Sequence, residues 1–74
     1  MHFKDLINTI KERREILEIT QKDLAKLSDV SLRAIKKFES GNGNPTLKTI
    51  QKLADVLGLE LFLDIKKNVT DEAG

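Results

Sequence analysis

Two basic side chains share one side of a short helical stretch. Successive residues of an α-helix are turned by about 100°, so a helix over residues 32 to 40 places Arg33 and Lys37 opposite Ile35 and Phe38. Guanidinium and ammonium groups donate hydrogen bonds to guanine O6 and N7 and to phosphate oxygens. The stretch therefore has the chemistry to contact nucleic acid, although a charged helix side is usually only a solvated face.

Two short helices joined by a tight turn must position these side chains. Thr20 is a good N-cap for the first helix, which ends at residues 28 to 29, where serine is a poor interior residue and aspartate tolerates a left-handed conformation. Ser31 can cap a second helix that runs from Leu32 to about Ser40. Gly41 lies just past its end, where a left-handed C-cap has little cost.

This pattern resembles the helix-turn-helix of the Cro and lambda-repressor-like regulators, also called the XRE family. In that family a Gln opens the first helix, an Ala follows four residues later, a Gly occupies the turn, an aliphatic residue lies midway in the recognition helix, and Glu-x-Gly closes it. The match covers roughly residues 4 to 58, and only the turn residue departs from it. The corresponding residues here are Gln21, Ala25, Asp29, Ile35, Glu39 and Gly41.

The resemblance implies binding to double-stranded DNA. The second helix would enter a major groove, where Arg33 and Lys37 donate to guanine or phosphate and Leu32 or Ala34 touches a thymine methyl group. The loop GNGNPT would contact the DNA backbone, or would only turn the chain towards the next helix. The predicted DNA-binding residues are Gln21, Ser31, Leu32, Arg33, Lys36, Lys37, Asn42 and Asn44.

Two charged residues fall on apolar helix faces. Arg14 follows Ile10 by four residues, and Glu39 follows Ile35 by the same interval. A buried charge is costly unless it is paired, so we expect an ion pair between Arg14 and Glu39. The same pairing is common in the family that the chain resembles. The alternative is that both side chains reach solvent, which the long stem of an arginine permits.

Two further helices complete the predicted body. The first runs from about Lys4 to Leu17. Glu18 follows at the position where members of the family have a glycine, so we expect a strained connection to the next helix, without the usual left-handed glycine. Another runs from residue 47 to 57, with Thr46 as its N-cap and Gly58 as its C-cap. The apolar positions expected to face inwards are Leu6, Ile7, Ile10, Leu17, Leu24, Leu27, Val30, Ile35, Phe38, Leu47, Ile50, Leu53, Ala54 and Leu57.

After Gly58 the apolar residues recur with a period of two, which predicts a strand where ordinary relatives place a fifth helix. A strand needs a ladder partner, and nothing in the first 58 residues has a strand pattern, so we expect antiparallel pairing with a second copy of the chain. The ending GLELFLDI resembles the DNA-binding antitoxins of the HipB kind, whose dimers share a small intersubunit sheet. The predicted dimerisation residues are Leu59, Leu61, Phe62, Leu63 and Ile65.

Composition narrows the class of protein. The chain has 74 residues, a net charge of +1, no Cys and one His, His2. We expect no catalysis, cofactor, metal site or membrane span, and a soluble, cytoplasmic protein. The predicted fold is mostly α, a four-to-five-helix lambda-repressor-like DNA-binding domain with one C-terminal strand pairing across a dimer. The domain covers residues 1 to 66 and a polar flexible tail covers residues 67 to 74.

These features predict a homodimeric repressor that binds a palindromic operator. Two versions stay open. In one, the chain is the autoregulating antitoxin of a toxin–antitoxin pair and also binds a kinase-like toxin. In the other it is a stand-alone repressor. A rival from a different class is a protein-interaction adaptor that uses the strand and the tail and does not bind DNA.

Overall fold

The computed structural model describes residues 2–63, which form a small helical domain. Its four helices are α1 (Phe3–Ile16), α2 (Gln21–Ser28), α3 (Leu32–Ser40) and α4 (Leu47–Val56). Helix α2 packs against both α3 and α4, and α1 packs against α3. The predicted mostly helical class is confirmed, with each boundary within one residue of the expected one.

Hydroxyl caps define where three of the helices begin. The side chains of Thr20, Ser31 and Thr46 each accept a hydrogen bond from the backbone N–H three residues later, at 3.0, 3.1 and 3.1 Å. Each bond satisfies one of the N–H groups that a helix start leaves without an intrahelical partner. All three predicted N-caps are confirmed, so the sequence itself fixes the starts of α2, α3 and α4.

Left-handed residues end the helices, and two of them are not glycine. Glu18 has φ 58° and Asp29 has φ 61°. At Glu18 the chain still forms the glycine-type end of α1, because the Ile19 N–H donates to the Arg14 carbonyl at 3.0 Å. The end of α1 therefore has the left-handed residue that is usual there, but this residue is a glutamate and not a glycine. The left-handed conformation proposed for Asp29 is confirmed.

The glycines at the ends of α3 and α4 have the conformation that their positions require. Gly41 has φ 82° and Gly58 has φ 72°. The Leu59 N–H donates to the Ala54 carbonyl at 2.9 Å across Gly58, which closes the end of α4. The chain consequently leaves α4 in a defined direction.

The core lies between the four helices. Phe38 contributes most volume and meets Phe3 edge to face, with ring centroids 6.5 Å apart. Val30, in the turn between α2 and α3, fills the corner as expected. The buried apolar residues are Ile7, Ile10, Leu24, Val30, Ile35, Phe38, Ile50, Leu53, Ala54 and Leu57.

Three leucines expected on inner faces are exposed instead, so this part of the prediction is wrong. Leu17 is 41% exposed because it lies beyond the last residue of α1, and Leu47 is 70% exposed because the first turn of α4 extends past the core. Leu27 is 64% exposed, since α2 directs Leu24 and Ser28 inwards and leaves Leu27 on its flank.

The segment after α4 adopts no regular secondary structure as far as Leu63, and residues 2–63 contain no strand. Leu59 and Leu61 are half-buried against the core, whereas Phe62 and Leu63 are 70% and 87% exposed. Ile65 and the predicted tail, residues 67 to 74, lie outside the described residues. The intersubunit strand therefore stays a prediction.

Across residues 2–63, every helix is too short or too polar to cross a bilayer.

Candidate nucleic-acid interface

Helix α3 presents three basic side chains to solvent. Ile35 and Phe38 are buried and anchor the helix in the core, while Arg33, Lys36 and Lys37 are exposed. We call these three residues the outward face of α3. Leu32 and Ala34 are half-buried at its edge. The predicted arrangement of basic residues opposite an apolar anchor is thus present in the structure.

The electrostatics of this region favour an anion. The first turns of α3 and α4 contain no acidic residue, so the positive ends of their helix dipoles are not offset locally. Helix α2 differs, because Asp23 lies in its first turn. Glu39 is the acidic residue within α3, and its carboxylate is engaged below the surface. The outward face consequently carries uncompensated positive charge.

The predicted pair of Arg14 and Glu39 forms and includes a third residue. Arg14 donates from Nε to Glu39 Oε2 at 2.7 Å and from Nη2 to Oε1 at 3.0 Å, while Gln21 Nε2 donates to Oε1 at 2.9 Å. Arg14 Nη1 also donates to the Ile19 carbonyl at 2.7 Å. We call Arg14, Gln21 and Glu39 the ion-pair cluster. It joins α1, α2 and α3.

Burial makes this cluster a strong constraint on α3. The side chains of Arg14 and Glu39 are only 11% and 4% exposed, so their charge-assisted bonds are shielded from water. The hydrogen bond with Glu39 raises the pKa of Arg14, which opposes the effect of its burial. Arg14 therefore stays charged, and the two-point contact fixes the rotation of α3 relative to α1.

Gln21 has a structural bond as well as a place near the interface. It is half-buried at the first position of α2, and its amide is held by Glu39. The sequence predicted Gln21 as a DNA contact and Glu39 as an ion-pair partner, but it missed the bond between them. Local spacing holds no signal for that bond, because 18 residues separate the two side chains.

A buried serine stabilises the turn between α2 and α3. Ser28 Oγ donates to the Leu24 carbonyl at 2.6 Å and accepts from the Val30 N–H at 3.3 Å. The sequence marked Ser28 only as a residue that ends α2. In the structure it also satisfies a backbone donor of the turn, which helps to fix the start of α3 near the core.

The loop after α3 lies close against that helix. Asn42 and Asn44 are exposed, and a Cβ added to Gly43 would lie 3.3 Å from the carbonyl carbon and Cβ of Lys37. A larger residue at position 43 would push the loop away from α3. The sequence pattern indicates no specific role for Gly43; the one available signal is the density of Gly and Asn in the loop. The two asparagines are thereby held beside the outward face.

Residues 2–63 contain no group of three or more side chains suited to hold a metal ion. The exposed charged groups of α3 on its outward face, Arg33, Lys36 and Lys37, are instead hydrogen-bond donors. Such donors suit an extended anionic partner.

The chain belongs to a helix-turn-helix family, whose model matches residues 10–63. It is 37% identical over 67 residues to the transcriptional repressor RstR of the cryptic phage CTXphi from Vibrio cholerae, covering 85% of this chain and 60% of that protein. It is also 37% identical over 54 residues to an uncharacterized HTH-type transcriptional regulator of Methanocaldococcus jannaschii, covering 73% of this chain and 82% of the relative.

A third relative is much longer. It is a protein of Archaeoglobus fulgidus provisionally named as an HTH-type transcriptional regulatory protein, 41% identical over 69 residues, and the match covers 85% of this chain but 22% of the relative. The chain thus spans less than two thirds of the length of RstR and of this archaeal protein. No solved structure matches the chain significantly.

Proposed function

We propose that this protein is a sequence-specific DNA-binding transcriptional regulator that acts as a repressor and binds a palindromic operator as a homodimer. The observation that carries the proposal is the outward face of α3. Three exposed basic side chains lie opposite two fully buried apolar ones, on a helix whose first turn contains no acidic residue. That combination suits insertion into a major groove.

Each basic residue has a separate part in this proposal. Arg33 is near the start of α3, where recognition helices contact base edges, and its planar guanidinium can bind guanine O6 and N7 together. Lys36 and Lys37 are point charges and suit phosphate or single acceptors. Asn42 and Asn44 follow α3 and would contact the backbone of the same half-site. Ser31, Leu32 and Gln21 complete the proposed contact surface.

The names of relatives support regulation of transcription. RstR is named as a transcriptional repressor, and the Methanocaldococcus protein is named as a transcriptional regulator. The two matches cover 85% and 73% of the 74 residues, so each must include the whole of α2 and α3, which lie near the middle of the chain. Repression follows simply if the bound protein overlaps a promoter, and regulation of its own promoter is the version that we favour.

The homodimer is supported by the segment after α4. Phe62 and Leu63 are large apolar residues that the single chain leaves exposed, and Leu59 and Leu61 rest on the core beside them. Pairing of residues 59 to 65 from two copies would cover these side chains and set two α3 helices at a fixed distance. For two half-sites on one side of the duplex, that distance should be about 34 Å.

Two narrower versions remain within the proposal. In the antitoxin version the protein also binds a kinase-like toxin, and this version depends only on the ending GLELFLDI. In the stand-alone version no toxin exists. A kinase-like reading frame beside this gene, whose product binds the purified protein, would favour the antitoxin. The adaptor alternative is tested together with DNA binding.

The test is a titration of selected operator and random duplexes with the parent protein and three variants. Arg33→Ala should weaken operator binding by about 1 to 3 kcal/mol and reduce the preference for the operator, because a bidentate base contact is lost. Lys36→Ala should weaken both duplexes alike. Lys26→Ala is the matched control, since Lys26 is an exposed lysine in the last turn of α2 that does not belong to the outward face.

Equal affinity of the parent protein for operator and random duplexes would refute sequence-specific recognition. Absence of DNA binding by a folded dimer would favour the adaptor alternative. Circular dichroism of every variant ensures that a loss of binding is not a loss of fold.

A further inference from the structure

A polar hollow lies beside the outward face of α3, where α1, α2 and α3 meet. Its lining combines the ion-pair cluster with exposed side chains from three other positions. Lys36 already belongs to the proposed contact surface, but no DNA contact has been assigned to α1. The lining residues are Lys11, Arg14, Gln21, Lys36, Glu39 and Ser40.

The charges around this hollow do not balance. Glu39 is its one acidic lining residue, and both carboxylate oxygens already accept hydrogen bonds from Arg14 and Gln21. Lys11 and Lys36 are exposed, and neither forms a salt bridge within residues 2–63. With Arg14, the three cations exceed the single carboxylate by two charges.

Besides Glu39, the acidic residue that acts on Arg14 is Glu15. It lies one turn after Lys11 along α1 and acts on Arg14 from the outside, but it does not line the hollow. Its exposed carboxylate reduces the positive potential only partly, because surface charges are screened by water and salt. An anion that reaches the hollow therefore meets net positive charge.

We propose that Lys11 and Lys36 together bind one backbone phosphate of the DNA, so that the contact surface extends from the helix-turn-helix onto α1. The inference rests on the proposed function. A phosphate fits better than a base edge, because two ammonium groups from different helices are compact point charges, whereas the planar fork of an arginine matches a base edge better. Gln21 lines the same hollow, and its bond with Glu39 fixes its position there.

The first test is the salt dependence of binding. Each phosphate contact contributes about 0.9 to the slope of log Kobs against log salt concentration. Lys11→Ala should lower the magnitude of this slope by about one, on operator and random duplexes alike. Between about 50 and 200 mM salt, the parent should lose roughly threefold more affinity than the variant. Lys26→Ala is again the control and should keep the parental slope.

The second test locates the phosphate. Operator duplexes are made with one methylphosphonate at a time, which removes a single backbone charge. At one position in each half-site the neutral linkage should weaken the parent protein more than it weakens Lys11→Ala, which keeps the contact from Lys36. It should leave the double variant Lys11→Ala with Lys36→Ala unaffected. Glu15→Gln should increase affinity for both duplexes, because it removes a negative charge that acts on Arg14 and lies one turn from Lys11.

The possible failures are distinguishable. If the parent binds DNA and Lys11→Ala keeps its salt slope and its sensitivity at every linkage, the contact from α1 is refuted and the proposed function stands. If the parent binds no duplex, the proposed function fails and this inference fails with it.

Discussion

The four-helix body and the segment after α4 differ in whether their side chains find partners within the chain. In the body, Glu39 is 4% exposed, yet its charge is completely bonded within the chain. No buried side-chain polar atom of residues 2–63 lacks a hydrogen-bond partner. In the segment, Phe62 and Leu63 are apolar and mostly exposed. The body pairs its buried charges within one chain, whereas the segment leaves two large apolar side chains exposed.

The contrast separates the requirements of reading DNA from those of assembly. An α3 that enters a groove must not rotate, and the ion-pair cluster fixes it from two neighbouring helices. A surface that holds two copies together must instead remain available until the second copy arrives. Large exposed apolar side chains are a common sign of such a surface. Each region can therefore be damaged separately, and the resulting defects should differ.

The largest effect should come from breaking the ion-pair cluster. Removal of Arg14 or Glu39 alone leaves the other charge buried without its partner, so Arg14→Ala and Glu39→Ala should each destabilise by about 3 to 5 kcal/mol. A domain of this size has a total stability of roughly 4 to 11 kcal/mol, so either variant can be close to unfolding. Denaturant melts monitored by circular dichroism measure the loss.

The double variant Arg14→Met with Glu39→Met sharpens this test. It removes both charges and should cost much less than the sum of the two single losses. Glu12→Ala, on the exposed side of α1, is the control and should change stability little. Two single losses that simply add in the double variant would mean that Arg14 and Glu39 do not stabilise the fold as a pair.

The second effect should come from the segment after α4. Leu63→Lys places a charge at the most exposed of its leucines, so the body should retain its melting temperature and helix content. If residues 59 to 65 pair across a dimer, the variant should become monomeric. A monomer binds each half-site separately, so operator affinity should fall by a factor of about 10² or more. Sedimentation and an operator titration measure both quantities.

Two further variants, Leu61→Lys and Leu27→Lys, are compared with Leu63→Lys. Leu61 is half-buried against the core, so its substitution should also lower the stability of the body. Leu27 is exposed on α2, far along the chain from the segment, and Leu27→Lys should stay dimeric. A Leu63→Lys protein that remains dimeric and binds the operator normally would show that other surfaces hold the two copies together.

The same contrast explains which features the sequence could predict. Caps and left-handed ends are local, so Thr20, Ser31, Thr46, Asp29 and Gly41 were all placed correctly. The pair of Arg14 and Glu39 was also predictable, since each charge broke an apolar stripe. The caps and helix ends require only the spacing of neighbouring residues, whereas the pairing of two charges 25 residues apart also depends on the resemblance to a known family.

Other features depend on where helices end against one another. Leu17, Leu27 and Leu47 have the right period for burial but lie at helix ends or flanks, beyond the reach of the core. The bond between Gln21 and Glu39, and the close approach of Gly43 to α3, depend on tertiary placement. The period of the apolar residues gives no information about this bond or about this close approach. The identity of the groups that contact DNA likewise cannot follow from a single chain.

The smallest expected effect concerns the two non-glycine residues with a left-handed backbone, at the ends of α1 and α2. Glu18 and Asp29 have nearly the same φ, 58° and 61°, but aspartate tolerates this conformation better than glutamate, because its short side chain can hydrogen-bond locally. Glycine removes the steric cost of about 1 to 2 kcal/mol and loses part of that gain to its greater freedom in the unfolded chain. Glu18→Gly should therefore stabilise by about 0.5 to 1 kcal/mol, whereas Asp29→Gly should change stability by less. Both variants are compared by denaturant midpoint, with Glu18→Ala as the control, which keeps a Cβ and should not be stabilised. Equal gains at the two positions would contradict a special tolerance of aspartate in the turn before α3.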